Sequence, residues 1–385
     1  MEFNWDIGYQ HPRAPVFARN AVATTQPLAA QAGLHILRTG GNAVDATIAT
    51  AAALTIVEPV SNGLGSDAFA IIWDGSQLHG LNASGRSPAA WNPDYFAKHN
   101  GVPERGVDSI TIPGAVSAWG DMHKRFGQLP FADVLQPAIE LAESGFAVSP
   151  AVQRKWANQA QILNRQPGFR EVFMPHGRAP QVGERFHMPG AARLLRTISE
   201  QGASTFYHGE IAQKLCAYLQ QHGASITVDD LAAHSNDWCG TISQNYRDYQ
   251  VHEIPPNGQG IAALMALGML EHFDLDELEA DSVDARHLQI ECMKAAFADV
   301  YQYVGDQDYM HEVSAADLLD AGYLEQRARS ISKDKATLFS HGNPPQGGTI
   351  YLTAADANGM MVSFIQSNYM GFGSGVVMPD LGVSF

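Results

Sequence analysis

One segment, Ala43–Val57, restricts the fold of this chain more than any other. It reads AVDATIATAAALTIV and is apolar almost all round, with Asp45 as its one charged residue. A helix of this composition has no polar face to turn toward water, so we expect it to be buried. The segment is also short for a bilayer and carries a charge, which argues against a membrane span. The sequence therefore predicts a buried helix inside a globular core.

The regions around this helix contain both helix and strand signals. Pro27 begins a helix that ends at Gly40-Gly41. Two strands, Ala68–Trp73 and Leu78–Ala83, are predicted on either side of the turn residues Asp74-Gly75. Further helices are predicted over 131–145, 190–221, 260–271 and 285–303, a strand over 249–254, and a strand, tight turn and strand over 349–367.

Composition narrows the class of protein. The chain has 385 residues, of which 45% are hydrophobic and 17% are charged, as in ordinary globular proteins. Its formal net charge of −16 makes it a poor binder of nucleic acid or of an anionic membrane, because both attract positive surfaces. We therefore expect neither as a partner.

Cysteine usage and the N-terminus bear on location. Cys216, Cys239 and Cys292 are too few and too scattered for a disulfide framework or a CxxC zinc site. The first twenty residues lack the basic and apolar regions of a secretory signal. The expected location is the cytoplasm.

A glycine motif at 63–68 invites a dinucleotide-binding interpretation. Gly63-Leu64-Gly65-Ser66-Asp67-Ala68 matches G-x-G-x-x-A, but a helix precedes it and a strand follows it. The dinucleotide fingerprint needs the reverse order, so a tight buried turn is the better interpretation. The fifteen His residues are scattered without helical ligand spacing.

The junction between Gly348 and Thr349 allows two interpretations. A polar loop over about 330–348 ends there, and Thr349 opens a strand. Thr is common at strand starts for its β-propensity alone. If the Gly348–Thr349 bond were cut, Thr349 would carry both Oγ and a free α-amine, whose pKa near neutrality suits a local base. The residues alone leave both interpretations open.

Seven segments spread over nearly the whole chain match one family when taken together. They are Ala23–Ala29, Ile36–Ala46 with GGNAVDA, Gly63–Gly65, Gly85-Arg86, Ser109–Ala115, Pro255–Gly260, and Gly348–Gly359 with its Thr–(six residues)–Asp–x–x–Gly spacing. These segments resemble the γ-glutamyltranspeptidase family of N-terminal nucleophile hydrolases.

The resemblance implies an α+β fold, a four-layer αββα sandwich whose second sheet is incomplete in this chain. It also implies a large-subunit-like region over 1–348 and the first part of the small subunit over 349–385, separated by autocatalytic cleavage before Thr349. The processed subunits would form a heterodimer, or a dimer of such heterodimers, that acts on a small-molecule substrate. The resemblance implies neither a metal nor an organic cofactor.

The resemblance also implies roles for particular residues. Thr349 corresponds to the nucleophile and its own base. Arg86 corresponds to the Arg that clamps the substrate α-carboxylate, although a surface Arg after a Gly turn is the plain alternative. Ser367 falls on a second hydroxyl position. Two positions further on, the family has an Asn that recognises the substrate. Counted without a gap, Tyr369 falls on that position, and Asn368 matches it with an offset of one residue.

The expected function is hydrolysis or transfer of γ-glutamyl groups from glutathione-like amides through an acyl-threonine. A glutaryl or cephalosporin-type amide acylase with the same nucleophile is the alternative, and an inactive fragment is another. In the family, further strands and the oxyanion donors follow the position of Phe385. The chain alone is therefore expected to be uncleaved and inactive, with Leu381, Val383 and Phe385 exposed.

Overall fold

A computed structural model describes residues 17–99, 101–279, 281–339 and 350–385. The described residues fall into two compact units. The larger contains residues 17–77, 82–237 and 350–385, and the smaller contains 78–81 and 238–339. Thr349 and residues 340–348 of the predicted processing loop lie outside the described residues.

The helices are α1 (Pro27–Arg38), α2 (Ala43–Val57), α3 (Pro93–Phe96), α4 (Ala115–Phe126), α5 (Phe131–Ser144), α6 (Pro150–Leu163), α7 (Phe169–Phe173), α8 (Pro189–Gln201), α9 (Gly209–Gln221), α10 (Val228–Ala232), α11 (Ile261–Leu270), α12 (Val283–Tyr303), α13 (Ala315–Leu318) and α14 (Ala321–Arg329). The strands are β1 (Ala21–Thr24), β2 (Asp67–Trp73), β3 (Leu78–Ala83), β4 (Phe146–Ala147), β5 (Arg185–Phe186), β6 (Asp237–Trp238), β7 (Ile242–Tyr246), β8 (Tyr249–Glu253), β9 (Ile350–Ala355), β10 (Met361–Ser367), β11 (Val377–Met378) and β12 (Val383–Ser384).

Helix α2 is buried along its whole length, as its composition predicts. A capping box holds its first turn: the Asn42 side chain accepts from the Asp45 backbone N–H, and the Asp45 carboxylate accepts from the Asn42 N–H. The same carboxylate accepts from the backbone N–H groups of Gln128 and Leu129. The one charge in the apolar segment is therefore fully hydrogen-bonded at a helix N-terminus.

Strands β1, β9, β10 and β2 of the larger unit lie side by side in that order, and all neighbours are antiparallel. Helix α2 packs on β9 and β10. Alternation along the strands buries Leu352 and Phe364, whereas Tyr351, Met361 and Ile365 are 49%, 52% and 38% exposed. One face of the sheet is thus core, and the other is partly open.

The turn between β9 and β10 joins the sheet to α2. Asp356 Oδ2 accepts from the backbone N–H of Ala43 at 3.0 Å, at the start of α2. Its Oδ1 accepts from the N–H groups of Asn358 and Met360, and Gly359 adopts a φ of 86°. The Asp–x–x–Gly spacing that follows Thr349 in sequence therefore has a structural role in this turn.

The prediction that the end of the chain is exposed was wrong. Leu381, Val383 and Phe385 are 8%, 0% and 6% exposed. Strands β11 and β12 form a short hairpin that folds back onto the turn after α2. The approach is so close that a Cβ at Gly65 would lie 2.5 Å from the carbonyl oxygen of Ser384. The apolar run is covered by the turn that its own chain provides.

The smaller unit has its own core. Strands β7 and β8 form an antiparallel hairpin, and helices α11, α12 and α14 pack around buried Met265, Met269, Cys292 and Leu324. A stretch without helix or strand, 330–339, follows α14. Across the parts of the chain that the structure describes, no helix is both long and apolar enough to cross a membrane.

The compact units do not divide at residue 349. Strands β9 and β10 pair with β1 and β2 inside the larger unit. A boundary between 1–348 and 349–385 concerns cleavage of the backbone rather than packing, so it stays a prediction.

Candidate active site

A pocket of about 320 Å³ lies where β10 ends and β2 begins. The register of the two strands places Ser367 opposite Asp67. Two predicted site residues, Ser367 and Asn368, line this pocket together. The lining residues are Gly65, Asp67, Val102, Pro103, Glu104, Ser109, Ile110, Thr111, Ser367, Asn368, Tyr369, Gly373, Ser374 and Phe385.

The Asn368 side chain is held in one orientation. The Ser66 hydroxyl accepts from the Gly63 N–H at 2.8 Å, which leaves its own proton to donate to Asn368 Oδ1 at 2.6 Å. Asn368 is 9% exposed, and its backbone N–H donates to the carbonyl of Ser61. With Oδ1 occupied, Asn368 Nδ2 is buried and has no partner among the described residues. An amide donor is thus free for a ligand.

A buried polar chain supports the end of β10 from the core side. Gln366 donates through Nε2 to Asn62 Oδ1 at 2.7 Å and accepts through Oε1 from Trp119 Nε1 at 3.1 Å. Asn62 in turn donates to the carbonyls of Leu54 and Glu58 at the end of α2. Each of these side-chain groups is paired, so this hydrogen-bonded network fixes the positions of Ser367 and Asn368.

Tyr369 follows directly and has an unusual backbone. Its φ is 67°, in the left-handed region, and its N–H donates to Ser367 Oγ at 2.8 Å. A left-handed tyrosine costs on the order of 1 kcal/mol and persists only where its surroundings impose it. Its side chain lines the pocket and is 50% exposed.

Arg105 and Phe372 hold the loop that closes the pocket. The Arg105 guanidinium donates to the carbonyls of Gly371, at 2.8 Å, and Gly373. Phe372 is fully buried, with its ring centroid 4.7 Å from that of Phe173. Charged and aromatic anchors together position the lining residues Gly373 and Ser374.

Asp67 is one of two carboxyl residues that line the pocket, and the other, Glu104, is exposed. Its Oδ1 is buried and lacks a hydrogen-bond partner within the described residues. Burial raises the pKa of Asp67 to about 7, and hydrogen bonds from the backbone N–H groups of Ser367 and of Asp67 itself offset part of that rise. The group can therefore gain or lose a proton near neutral pH.

Arg86 does not line this pocket. Its guanidinium lies 3.8 Å from the Asp237 carboxylate, and both side chains are more than half exposed. Such an exposed pair contributes little to stability, so the guanidinium can exchange this partner for another anion. The Arg86 carbonyl accepts from the N–H of Ile112, next to the lining residue Thr111. The structure therefore brings Ser367 and Asn368 together in the pocket and leaves Arg86 outside its lining.

Thr349 lies outside the described residues, so its role stays a prediction. The next residue in the chain, Ile350, begins β9 and pairs with Gln366. Gln366 immediately precedes Ser367, the last residue of β10, and Asn368, and both of these residues line the pocket.

Sequence reasoning missed Ser66, Asp67 and Arg105. The stretch Gly63–Ala68 was interpreted only as a tight turn, and the turn interpretation is confirmed because β2 begins at Asp67. The sequence signal for Asp67 was a carboxyl residue at the start of an otherwise apolar strand. Arg105 carried no signal, since the carbonyl groups that it holds, those of Gly371 and Gly373, lie more than 260 residues away.

The described residues contain no cluster of three or more His, Cys, Asp or Glu side chains suited to a metal ion. The pocket instead offers two carboxyl groups, an amide and several hydroxyl groups. Such groups recognise small polar molecules by hydrogen bonds and charge.

Solved structures share this fold. A cephalosporin acylase from Bacillus halodurans superposes with a TM-score of 0.91 and 43% identity, covering 98% of this chain and 71% of that one. The γ-glutamyltranspeptidase from Pseudomonas nitroreducens, complexed with L-DON, gives a TM-score of 0.77 and 29% identity over 83% of this chain and 96% of that one. The fold is the mixed helix-and-sheet fold of these N-terminal nucleophile hydrolases.

Sequence comparison names the family. The γ-glutamyltranspeptidase family model matches residues 29–385. The glutathione hydrolase-like YwrD proenzyme of Bacillus subtilis (strain 168) is 36% identical over 96% of this chain and 71% of its own length. The oxamate amidohydrolase proenzyme of Klebsiella pneumoniae is 34% identical over 92% and 68%. This chain belongs to the γ-glutamyltranspeptidase family.

Proposed function

We propose that this protein is a γ-glutamyl hydrolase or transferase that acts on glutathione-like amides through an ester on Thr349. The proposal is carried by the pocket in which Ser367 and Asn368 lie together, at the end of the strand that pairs with the start of β9. Membership of the γ-glutamyltranspeptidase family supports the same reaction class.

The proposed reaction needs Thr349 at a new N-terminus. Thr349 Oγ first attacks the Gly348 carbonyl in an N–O acyl shift, and water hydrolyses the resulting ester. In turnover, Oγ attacks the substrate amide carbon while the α-amine takes its proton. The C–N bond breaks, and the leaving amine receives that proton. Water or an acceptor amine then cleaves the acyl-threonine and regenerates the hydroxyl.

The residues around Thr349 have proposed roles of their own. Asn368 Nδ2 is a buried donor without a described partner, and we assign it to substrate recognition. We assign Ser367, which lines the same pocket, to substrate binding as well. Arg86, whose exposed partner Asp237 is replaceable, binds the substrate α-carboxylate.

Architecture and assembly form part of the proposal. The partly open sheet face bearing Tyr351, Met361 and Ile365 supports packing by a second sheet in a four-layer αββα sandwich. The proenzyme names of the relatives support cleavage into a heterodimer of large and small subunits. A cytoplasmic location, with neither nucleic acid nor membrane as a partner, is proposed from composition.

A second candidate is an amide acylase that uses the same nucleophile on acyl groups without an α-amine. It is favoured by the 43% identity to the cephalosporin acylase. Both candidates predict an acyl-Thr349, and they differ in the acyl group that the pocket accepts.

The test compares γ-glutamyl-p-nitroanilide with glutaryl-p-nitroanilide in the gene product that contains this chain. We expect faster release of p-nitroaniline from the γ-glutamyl compound, and loss of activity in Thr349→Ala. Thr353→Ala, a change at a threonine within β9, is the matched control and should keep activity. Preference for the glutaryl compound would support the acylase, and full activity of Thr349→Ala would refute both.

A further inference from the structure

We propose that side chains on α12 and α14 are positioning residues for cleavage before Thr349, because they hold the segment 332–339 that leads toward the cleavage site. The inference rests on the proposed function, since it concerns the self-cleavage that this function requires. Both helices and the segment belong to the smaller unit. Ten residues, 340–349, separate the end of the segment from the start of β9 at Ile350.

Two side chains of α12 bind the backbone of this segment. His287 Nε2 donates to the carbonyl of Ser332 at 2.8 Å, and Glu291 Oε2 accepts from the Thr337 N–H at 2.8 Å. Glu291 is 1% exposed, and its Oε1 accepts from Lys294 Nζ at 2.5 Å. Burial alone would raise the pKa of Glu291, but the hydrogen bonds from Lys294 and Thr337 outweigh burial and lower that pKa. The acceptor of the Thr337 N–H is therefore a charged carboxylate, which makes a stronger hydrogen bond than a neutral group.

Two cations lie over the ring of Phe339, the last residue of the segment. Lys294 Nζ is 5.7 Å from the ring centroid, and the guanidinium carbon of Arg327 is 5.6 Å from it. Arg327 is itself held by α12, because its Nε lies 3.0 Å from Asp299 Oδ2 and its Nη2 donates to the carbonyl of Ala295 at 2.9 Å. Phe339 also packs against the hydrophobic core of the smaller unit. Cation–π attraction and packing thus fix the last described residue before the cleavage site.

A fixed residue near the scissile bond should favour cleavage. The N–O acyl shift needs Thr349 Oγ aligned with the Gly348 carbonyl, and a shorter connection between two fixed ends has fewer competing conformations. If the contacts of Thr337 and Phe339 were lost, the next residue held by α12 would be Ser332. The connection to β9 would then lengthen from ten residues to seventeen, 333–349. Because the closure probability falls with the 3/2 power of chain length, cleavage should slow about twofold or more.

The test is the rate of self-cleavage of the gene product that contains this chain. A double variant, Glu291→Leu with Phe339→Leu, removes the acceptor of the Thr337 N–H and the ring that faces the two cations. Phe339→Tyr keeps the ring and is the conservative variant. Leu338→Ala is the matched control, because Leu338 adjoins Phe339 but is 98% exposed. Each precursor is made in a cell-free system, and the cleaved fraction is followed over time on denaturing gels.

We expect the double variant to cleave about twofold or more slowly than wild type, and Phe339→Tyr and Leu338→Ala to cleave at the rate of wild type. Once cleaved, the double variant should hydrolyse γ-glutamyl-p-nitroanilide with the kcat and KM of wild type, which a general loss of structure would not preserve. Circular dichroism verifies the fold. If the double variant does not fold, Phe339→Leu alone replaces it and should cleave more slowly than Phe339→Tyr.

The inference is overturned if the double variant cleaves at the rate of wild type, if Leu338→Ala slows cleavage equally, if Phe339→Tyr does not preserve the rate, or if kcat falls together with the cleavage rate. The outcomes separate the two proposals. Slower cleavage in the double variant, with no γ-glutamyl hydrolysis by cleaved wild type, refutes the proposed function only. An unchanged cleavage rate with Thr349-dependent hydrolysis intact refutes this inference only. A wild type that is not cleaved before Thr349 overturns both.

Discussion

Gln366→Leu tests whether the buried polar chain under β10 supports the fold. Gln366 is 1% exposed and pairs with two fully buried partners, Trp119 Nε1 at 3.1 Å and Asn62 Oδ1 at 2.7 Å. Leucine has a similar volume but can pair with neither. Each orphaned group costs about 1–3 kcal/mol, and burial of the added apolar surface offsets about 1 kcal/mol. The expected loss in the free energy of unfolding is about 1–5 kcal/mol.

Urea unfolding followed by far-UV circular dichroism measures that loss. Gln136→Leu is the matched control, because Gln136 is exposed on α5 and bonds only to the neighbouring Glu140 at 2.8 Å. The control should change the free energy of unfolding by no more than about 0.5 kcal/mol. A loss below about 1 kcal/mol in Gln366→Leu, or equal losses in both variants, would refute the account of a paired polar chain.

Three further predictions concern packing and protonation. Gly65→Ala should destabilise the protein by about 1–3 kcal/mol because its Cβ would meet the C-terminal hairpin, whereas Gly305→Ala, which has open space, should be near neutral in the same urea assay. Phe372→Ala should cost about 3–5 kcal/mol by emptying an aromatic cluster, and a loss under about 1 kcal/mol would contradict that packing. The pKa of Asp67 is raised from 3.8 to about 7, so the stability that this group contributes is present below pH 3.8 and is lost as pH rises toward 7. The free energy of unfolding of Asp67→Asn should therefore increase relative to that of wild type between pH 4.5 and 7.5. Parallel plots of this free energy against pH for the two proteins would exclude the raised pKa.

Much of the fold could be predicted from patterns between residues that are close in sequence. The composition of Ala43–Val57 predicted a buried helix, and its burial is confirmed. The alternation and turn residues of 349–367 predicted two strands, confirmed as β9 and β10 over the described residues. These features depend on neighbours in sequence, where periodicity and turn chemistry act.

The errors came from contacts between distant residues. The apolar run ending at Phe385 was expected to be exposed, yet the turn containing Gly65, more than 300 residues earlier, covers it. Asp67 was overlooked because its place opposite Ser367 depends on strand pairing across 300 residues. Periodicity shows that a face is apolar or that a residue is polar, but not what lies against it.

The central claim is that Thr349 becomes an N-terminal nucleophile. Intact-mass spectrometry of the gene product that contains this chain, with and without Thr349→Ala, tests it most directly. Wild type should give two polypeptides whose boundary falls between Gly348 and Thr349, and incubation with a γ-glutamyl substrate should add one acyl group to the fragment that begins with Thr349. The Ala variant should remain a single chain. An uncleaved wild type, or an Ala variant cleaved at the same bond, would contradict the account.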